Sequence, residues 1–187
     1  MKELALHILD VARNSVEAGA TELTITLLED HEADRLDMIL EDNGRGMPPE
    51  QLRQATDAFF TTRTTRKVGL GLAMLRATCE RCDGGLEVSS EAGRGTVVRS
   101  WLRLGNIDRP PLGDMGAVVQ ALACETALAL RYRHLVRGAR ERAHRSFVLD
   151  TLELQHELGD VALTSPPVLD WLRGHVNDGL RELGSLA

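Results

Sequence analysis

The chain reads Asp42-Asn43-Gly44-Arg45-Gly46-Met47 directly after a run of alternating apolar residues. The alternation predicts a β-strand, and the two glycines predict a turn in which the backbone approaches a bound group closely. The carboxylate of Asp42 accepts hydrogen bonds and donates none, so it suits a ligand edge that carries N–H groups. By itself such a motif is also typical of a simple hairpin turn, so its meaning depends on the segments around it.

Three further segments occur in the first hundred residues, and each suits a different part of a nucleotide. Asp10 and Asn14 are four residues apart in a run of helical periodicity, so they lie on one face of a helix. The segment Gly69-Leu70-Gly71-Leu72 begins another predicted helix, whose free N–H groups and dipole suit phosphate oxygens. The segment Gly93-Arg94-Gly95-Thr96 predicts a turn that leads into a strand.

In this order the four segments resemble the GHKL superfamily of histidine kinase-like ATP-binding domains, over about residues 1–104. The resemblance implies that Asp42 and Thr96 bind the adenine of ATP. It implies that Asn14 binds Mg²⁺. It also places Asp10 where the ATPase branches have a residue, usually glutamate, that activates water. Asp10 is shorter by one methylene, which weakens the case for hydrolysis but not for nucleotide binding.

The same resemblance extends to the polar segment before the second glycine motif. Phe60 matches the phenylalanine box of histidine kinases, and Arg63 matches the basic lid residue that faces the phosphates, with Arg66 and Lys67 as alternatives. The catalytic candidate is therefore Asp10. The predicted ATP-binding residues are Asn14, Asp42, Gly44, Gly46, Met47, Phe60, Arg63, Lys67, Gly69, Leu70, Gly71, Leu72 and Thr96.

The order of elements predicts the fold class. Up to residue 104 it is helix, two strands, helix, polar segment, helix and two strands, followed by a helix over about 114–127, two more strands and two helices. This order favours an α/β sandwich with a mixed, mainly antiparallel sheet and helices on one face, the Bergerat-type fold of the GHKL resemblance. We predict an ATP-binding domain over 1–105, a Pro-rich linker over 106–113 and a small α+β partner-interaction region over 114–187.

Composition excludes some classes of function. The formal net charge of −6 argues against nucleic-acid binding, and the arginine-rich stretch 131–145 is more simply a solvated hairpin. The sequence shows no signal peptide and no apolar run of the roughly 20 residues that span a bilayer, so we expect a cytoplasmic protein without a membrane role. Cys79 and Cys82 form a C-x-x-C pair, for which packed, reduced thiols are favoured over metal or redox use.

The leading hypothesis is an Mg²⁺–ATP-binding regulatory protein that phosphorylates or controls a partner protein. A non-catalytic ATP-dependent switch and a slow ATPase coupled to dimer closure are the alternatives. The stretches 59–72 and 107–114 also resemble short stand-alone ATP-binding proteins of anaerobic bacteria, some of which are associated with iron hydrogenase systems. The sequence leaves open the partner, the destination of the phosphate and whether the chain forms a homodimer.

Overall fold

The computed structural model of the chain describes residues 3–56, 70–138 and 144–185. In chain order the elements are α1 (Leu4–Glu17), β1 (Glu22–Asp30), β2 (Arg35–Asp42), α2 (Pro49–Thr56), α3 (Leu70–Arg81), β3 (Gly85–Glu91), β4 (Gly95–Arg103), α4 (Met115–Ala123), β5 (Ala129–Arg137), β6 (His144–Asp150), α5 (Thr151–Leu158) and α6 (Pro166–Leu183).

The strands form one six-stranded sheet in the order β3-β4-β2-β1-β5-β6. The β1–β5 pair is parallel and the other pairs are antiparallel. Along β1, β2 and β5 buried residues alternate with more exposed ones, so one face of the sheet packs against the core. The predicted mixed, mainly antiparallel α/β sandwich is confirmed.

The sheet continues across the predicted domain boundary. β5 comes after the 106–113 segment in sequence, yet it pairs with β1 from Glu22↔Ala129 to Asp30↔Arg137. Residues from both sides of this segment also share one hydrophobic core. The parts of the chain before and after the Pro-rich segment thus share one sheet and one core. The division into 1–105, 106–113 and 114–187 stays a prediction.

The Pro-rich segment contacts the start of α1. The backbone N–H of Leu4 donates to the Pro111 carbonyl oxygen at 3.0 Å, and that of Ala5 donates to the Leu112 oxygen at 2.7 Å. The first N–H groups of a helix have no partner within it, so these two bonds satisfy part of that requirement. The segment therefore helps to hold α1, which carries Asp10 and Asn14.

One predicted boundary was wrong. The helix expected over about 114–127 ends at Ala123. Beyond it, Leu128 N–H donates to the Glu125 oxygen in a turn, and Ala129 N–H donates to the Thr21 oxygen. The chain must leave the helix by this point because β5 has to start beside β1. Asp114 is the N-cap of α4, and its side chain accepts a hydrogen bond from the Ala117 N–H.

Of the arginine-rich stretch, Arg131, Arg133 and Arg137 lie on β5 and Arg145 lies on β6, and these strands pair antiparallel as the sequence predicts. Arg131 pairs with Asp150 at 2.6 Å, and Arg137 pairs with Asp30 at 2.8 Å. In the described parts of the chain, no helix combines the length and the hydrophobicity that crossing a bilayer requires.

Candidate functional site

A cavity of about 230 Å³ lies between α1, the strands β2 and β4, the loop after β2 and the start of α3. It brings together six residues that the sequence predicts for the site: Asn14, Asp42, Gly46, Met47, Leu72 and Thr96. The other lining residues are Val11, Ser15, Glu17, Ala18, Leu40, Arg45, Gln51 and Val98. The cavity therefore combines aliphatic walls with a few polar groups, as small-molecule sites commonly do.

Asp42 is held in place by two hydrogen bonds. Its Oδ2 accepts from the Ser15 hydroxyl at 2.7 Å, and its Oδ1 accepts from the Gly44 N–H at 2.9 Å. Each carboxylate oxygen can accept more than one hydrogen bond, so capacity remains for a ligand. Asp42 is also the register partner of Thr96 across the β2–β4 pair, which brings a carboxylate and a hydroxyl together at the cavity.

The glycines of the Asp42–Met47 loop are required by the protein's own packing. A Cβ at Gly44 would lie 2.9 Å from the Ala18 Cβ. Gly46 has a φ of +62°, and a Cβ there would lie 2.0 Å from the Glu91 carbonyl oxygen. The loop is thus pressed between the end of α1 and the β3–β4 turn. The sequence interpretation, close approach to a bound base, stays a prediction.

Ser90 connects three parts of the site behind the cavity wall. Its Oγ accepts from the Met47 N–H at 2.8 Å and donates to the Gly95 carbonyl oxygen at 2.9 Å. Thr96 Oγ1 lies 2.9 Å from the same atom. The loop after β2, the β3–β4 turn and the start of β4 are therefore joined at one hydroxyl group.

Asp10 and Asn14 lie on α1 as predicted, but their surroundings differ. Asn14 lines the cavity and is exposed. Asp10 is half-buried, and a Cβ at Gly71 would lie only 3.3 Å from the Asp10 Cβ. The first turn of α3 therefore packs against α1 beside Asp10, while Leu72 from the same turn lines the cavity.

The remaining predicted residues are only partly described. Leu70 is the first residue of α3, as predicted. Phe60, Arg63, Lys67 and Gly69 lie outside the described residues, so their predicted contacts with the nucleotide stay predictions.

His7, Cys79 and Cys82 are buried in the core and none of them lines the cavity. His7 Nε2 lies 3.3 Å from the Thr78 hydroxyl, and burial lowers the pKa of the imidazole. Burial raises the pKa of Cys79 to about 12 and also raises that of Cys82. Both thiols are free, and the described residues contain no group of three or more side chains suited to a metal ion. The choice between packed, reduced thiols and metal or redox use stays a prediction.

Sequence reasoning missed Ser15 and Ser90. Ser15 directly follows Asn14 and falls on the buried face of the helical pattern, so a buried hydroxyl beside a metal-ligand candidate was a usable signal. Ser90 carried no such signal. Its role depends on the strand register that sets it opposite Thr96.

Residues 2–106 match the model of the histidine kinase-, DNA gyrase B- and HSP90-like ATPase family. The chain belongs to this family. Sensor histidine kinase ZraS of Salmonella typhi is 32% identical over 96 residues, which are 51% of this chain and 20% of ZraS. Sporulation kinase C of Bacillus subtilis (strain 168) is 31% identical over 102 residues, which are 54% of this chain and 24% of that kinase. The matched part is thus a quarter or less of each relative.

A solved structure supports the fold. The N-terminal domain of a DNA repair protein superposes with a TM-score of 0.53 at 14% identity, covering 80% of this chain and 53% of that one. At this identity the likeness concerns the fold alone. The resemblance to short stand-alone proteins of anaerobic bacteria stays a prediction.

Proposed function

We propose that the chain binds Mg²⁺–ATP in this cavity and uses it to phosphorylate a partner protein. The observation that carries the proposal is the fixed carboxylate of Asp42. Ser15 and Gly44 hold it in place, and Thr96 lies opposite it across the sheet. An exocyclic amine offers two N–H groups, and a carboxylate with free lone pairs is the matching acceptor.

We assign the triphosphate to the side of the site formed by α1 and the start of α3. The first turn of α3 packs beside Asp10, and free N–H groups at a helix N-terminus favour phosphate oxygens. Asn14 is exposed at the cavity, and its amide oxygen is a ligand that Mg²⁺ accepts. When bound, the metal would neutralise charge on the phosphates. The rest of the proposed nucleotide contacts would come from Phe60, Arg63, Lys67 and Gly69.

The phosphoryl acceptor of the proposed reaction lies on a partner protein. Within the chain, His7 and His134 are fully buried and closed to a phosphoryl group, whereas His156 and His175 are exposed. Phosphoryl transfer depends mainly on positioning and charge neutralisation, so a partner can supply the nucleophile while Asp10 acts as base. Two relatives described as kinases support this direction. If the stand-alone resemblance is correct, an iron hydrogenase system is the first source of partners to test.

The adenine assignment is tested by Asp42→Asn, which keeps the size of the side chain and removes its charge. Calorimetric titration with Mg²⁺–ATP should show at least tenfold weaker binding, about 1.4 kcal/mol. The matched control is Glu41→Gln on the same strand, where the side chain is exposed and pairs in register with Val97 rather than Thr96. Equal affinities of Asp42→Asn and the unaltered chain would refute the assignment.

A γ-labelled ATP assay separates the three activities. Candidate partners are first recovered in pull-downs carried out with and without ATP. The chain is then incubated with Mg²⁺ and labelled ATP, both alone and with these candidates. Label on a partner supports the kinase. Free phosphate alone supports a slow ATPase, and measurable binding with neither product supports an ATP-dependent switch.

A further inference from the structure

Ser90 lies behind the cavity and acts on it through Thr96. The two residues are register partners in the β3–β4 pair, and their hydroxyl oxygens are 2.9 Å apart. Thr96 lines the cavity. The direction of the hydrogen bond between these hydroxyls therefore decides what Thr96 offers to a ligand.

The direction follows from the other two contacts of Ser90. The Gly95 carbonyl oxygen is an acceptor only, so Ser90 must donate its single hydroxyl hydrogen to it. The Met47 N–H is a donor, so it uses one lone pair of Ser90 Oγ. One lone pair remains for Thr96, and Thr96 must therefore be the donor in the bond between the two hydroxyls.

With its hydrogen committed to Ser90, Thr96 presents only lone pairs to the cavity. Asp42, its register partner on β2, presents only lone pairs as well. These two groups on the β2–β4 wall are consequently both hydrogen-bond acceptors. A ligand N–H group placed there donates hydrogen bonds to these acceptors. A ligand carbonyl oxygen placed there loses its hydrogen bonds to water and gains none from the protein.

We propose that Ser90 is a positioning residue that fixes the Thr96 hydroxyl as an acceptor and thereby sets the preference of the site for 6-aminopurine over 6-oxopurine nucleotides. The inference rests on the proposed ATP site and adds the device that selects its base. Without Ser90, the Thr96 hydroxyl is free to turn and donate to a carbonyl oxygen at C6.

The test compares Mg²⁺–ATP with Mg²⁺–inosine 5′-triphosphate, which has a carbonyl in place of the amine at C6 and carries a hydrogen on N1. Both are titrated calorimetrically into the unaltered chain, Ser90→Ala and Ser90→Thr. Ser90→Ala should reduce the ratio of the affinity for ATP to the affinity for inosine 5′-triphosphate by about five- to tenfold, which corresponds to one neutral hydrogen bond. Ser90→Thr keeps the hydroxyl and should keep the ratio. Ser89→Ala, an exposed serine on the same strand, is the matched control.

A double-mutant cycle with Thr96→Val separates positioning from a general structural effect. Ser90→Ala should change the ratio in the unaltered background and leave it unchanged when Thr96→Val is already present. A change of the same size in both backgrounds would show that Ser90 does not act through Thr96. Ser90→Cys, which keeps the size of the side chain with weaker hydrogen bonds, replaces Ser90→Ala if circular dichroism shows the latter to be unfolded.

The failures of the two proposals differ. If the unaltered chain binds neither nucleotide, the proposed function is wrong and this inference falls with it. If the unaltered chain prefers ATP and folded Ser90→Ala keeps the same ratio of affinities, the ATP site stands and the role of Ser90 is refuted.

Discussion

The polar side chains around Asp42 differ from those around Glu29 in how much bonding capacity they leave unused. Asp42 and Asn14 line a cavity, and the carboxylate of Asp42 can still accept further bonds. Glu29 on β1 is fully buried, and its Oε1 accepts from His134 Nε2 on β5 at 2.7 Å and from the Ser185 hydroxyl. The Glu29 set is removed from water, whereas the Asp42 set faces a cavity and is open to a ligand.

The Glu29 set extends through the sheet. The Tyr132 hydroxyl lies 2.9 Å from His134 Nδ1, so a chain of hydrogen bonds joins Glu29, His134 and Tyr132. All three side chains are fully buried. Burial also raises the pKa of the Tyr132 phenol, which keeps it protonated as a donor. The comparison teaches that the two sets differ in their hydrogen-bond partners. The Glu29 set bonds to other protein groups, whereas the Asp42 set keeps acceptors that a ligand can use.

The largest expected effect comes from breaking the Glu29 set. Glu29→Ala would leave His134 and Ser185 without their acceptor in the core, which should reduce the free energy of unfolding by about 3–5 kcal/mol. Urea denaturation measures it. Glu22→Ala, on the same strand but exposed, should change it by less than about 0.5 kcal/mol. Similar losses for the two variants would contradict the structural role of Glu29.

An intermediate effect is expected at Asn14, the exposed residue of α1 that lines the cavity. Asn14→Ala should weaken Mg²⁺–ATP binding about tenfold, or about 1.4 kcal/mol, because it removes the proposed metal ligand. Binding of ATP in excess EDTA should change much less, and so should the free energy of unfolding, because Asn14 is exposed. The control is Asn106→Ala, which removes an amide away from the cavity. An unaltered Mg²⁺ titration for Asn14→Ala would refute the metal assignment.

The smallest effect concerns pH. Burial acts to raise the pKa of Asp150, but hydrogen bonds from Arg131, Leu152 and Glu153 outweigh it and lower that pKa below its ordinary value of 3.8. A lowered folded-state pKa gives a stabilisation that is fully present above the unfolded-state value and is lost as the pH falls through the folded-state value. Asp150→Asn keeps an N-cap for α5 and removes the charge.

Denaturation from pH 7 to pH 2 should therefore show Asp150→Asn less stable than the unaltered chain by about 1 kcal/mol or less at neutral pH. The two curves should converge below about pH 4, where the Asp150 carboxyl of the unaltered chain becomes protonated and is then neutral, like the asparagine of the variant. A difference that stays constant to pH 2 would show that the carboxylate charge contributes nothing.

The elements of the fold were predictable because their signals are local. The α1 pattern, with Leu4, Ile8 and Val11 on one face, puts Asp10 and Asn14 on a helix, and the structure agrees. The two strands predicted before the Asp42–Met47 loop and the two predicted after α3 are also present, as β1, β2, β3 and β4. The sequence could not show that β5 would pair with β1, because this contact joins residues about a hundred positions apart.

The cavity was predictable in part for the same reason. Asp42 and Gly46 belong to a single loop, and loop chemistry is readable from neighbouring residues. Ser90 and Glu29 were not predictable in their roles. Ser90 meets Met47 across 43 positions, and Glu29 meets His134 across 105. These contacts depend on strand order and register, which apolar alternation does not specify.

By itself, the sequence determined the helices and strands, the order of the four glycine and acidic segments and the family to which the chain belongs. These follow from local periodicity, turn chemistry and motif order, which a linear chain carries directly. Only the tertiary structure decided that residues beyond the Pro-rich segment extend the same sheet, that Ser15 and Ser90 support the cavity wall, and that Glu29 belongs to the core. The physical reason is that the hydrogen-bond partner of a buried polar group is chosen by packing between distant segments.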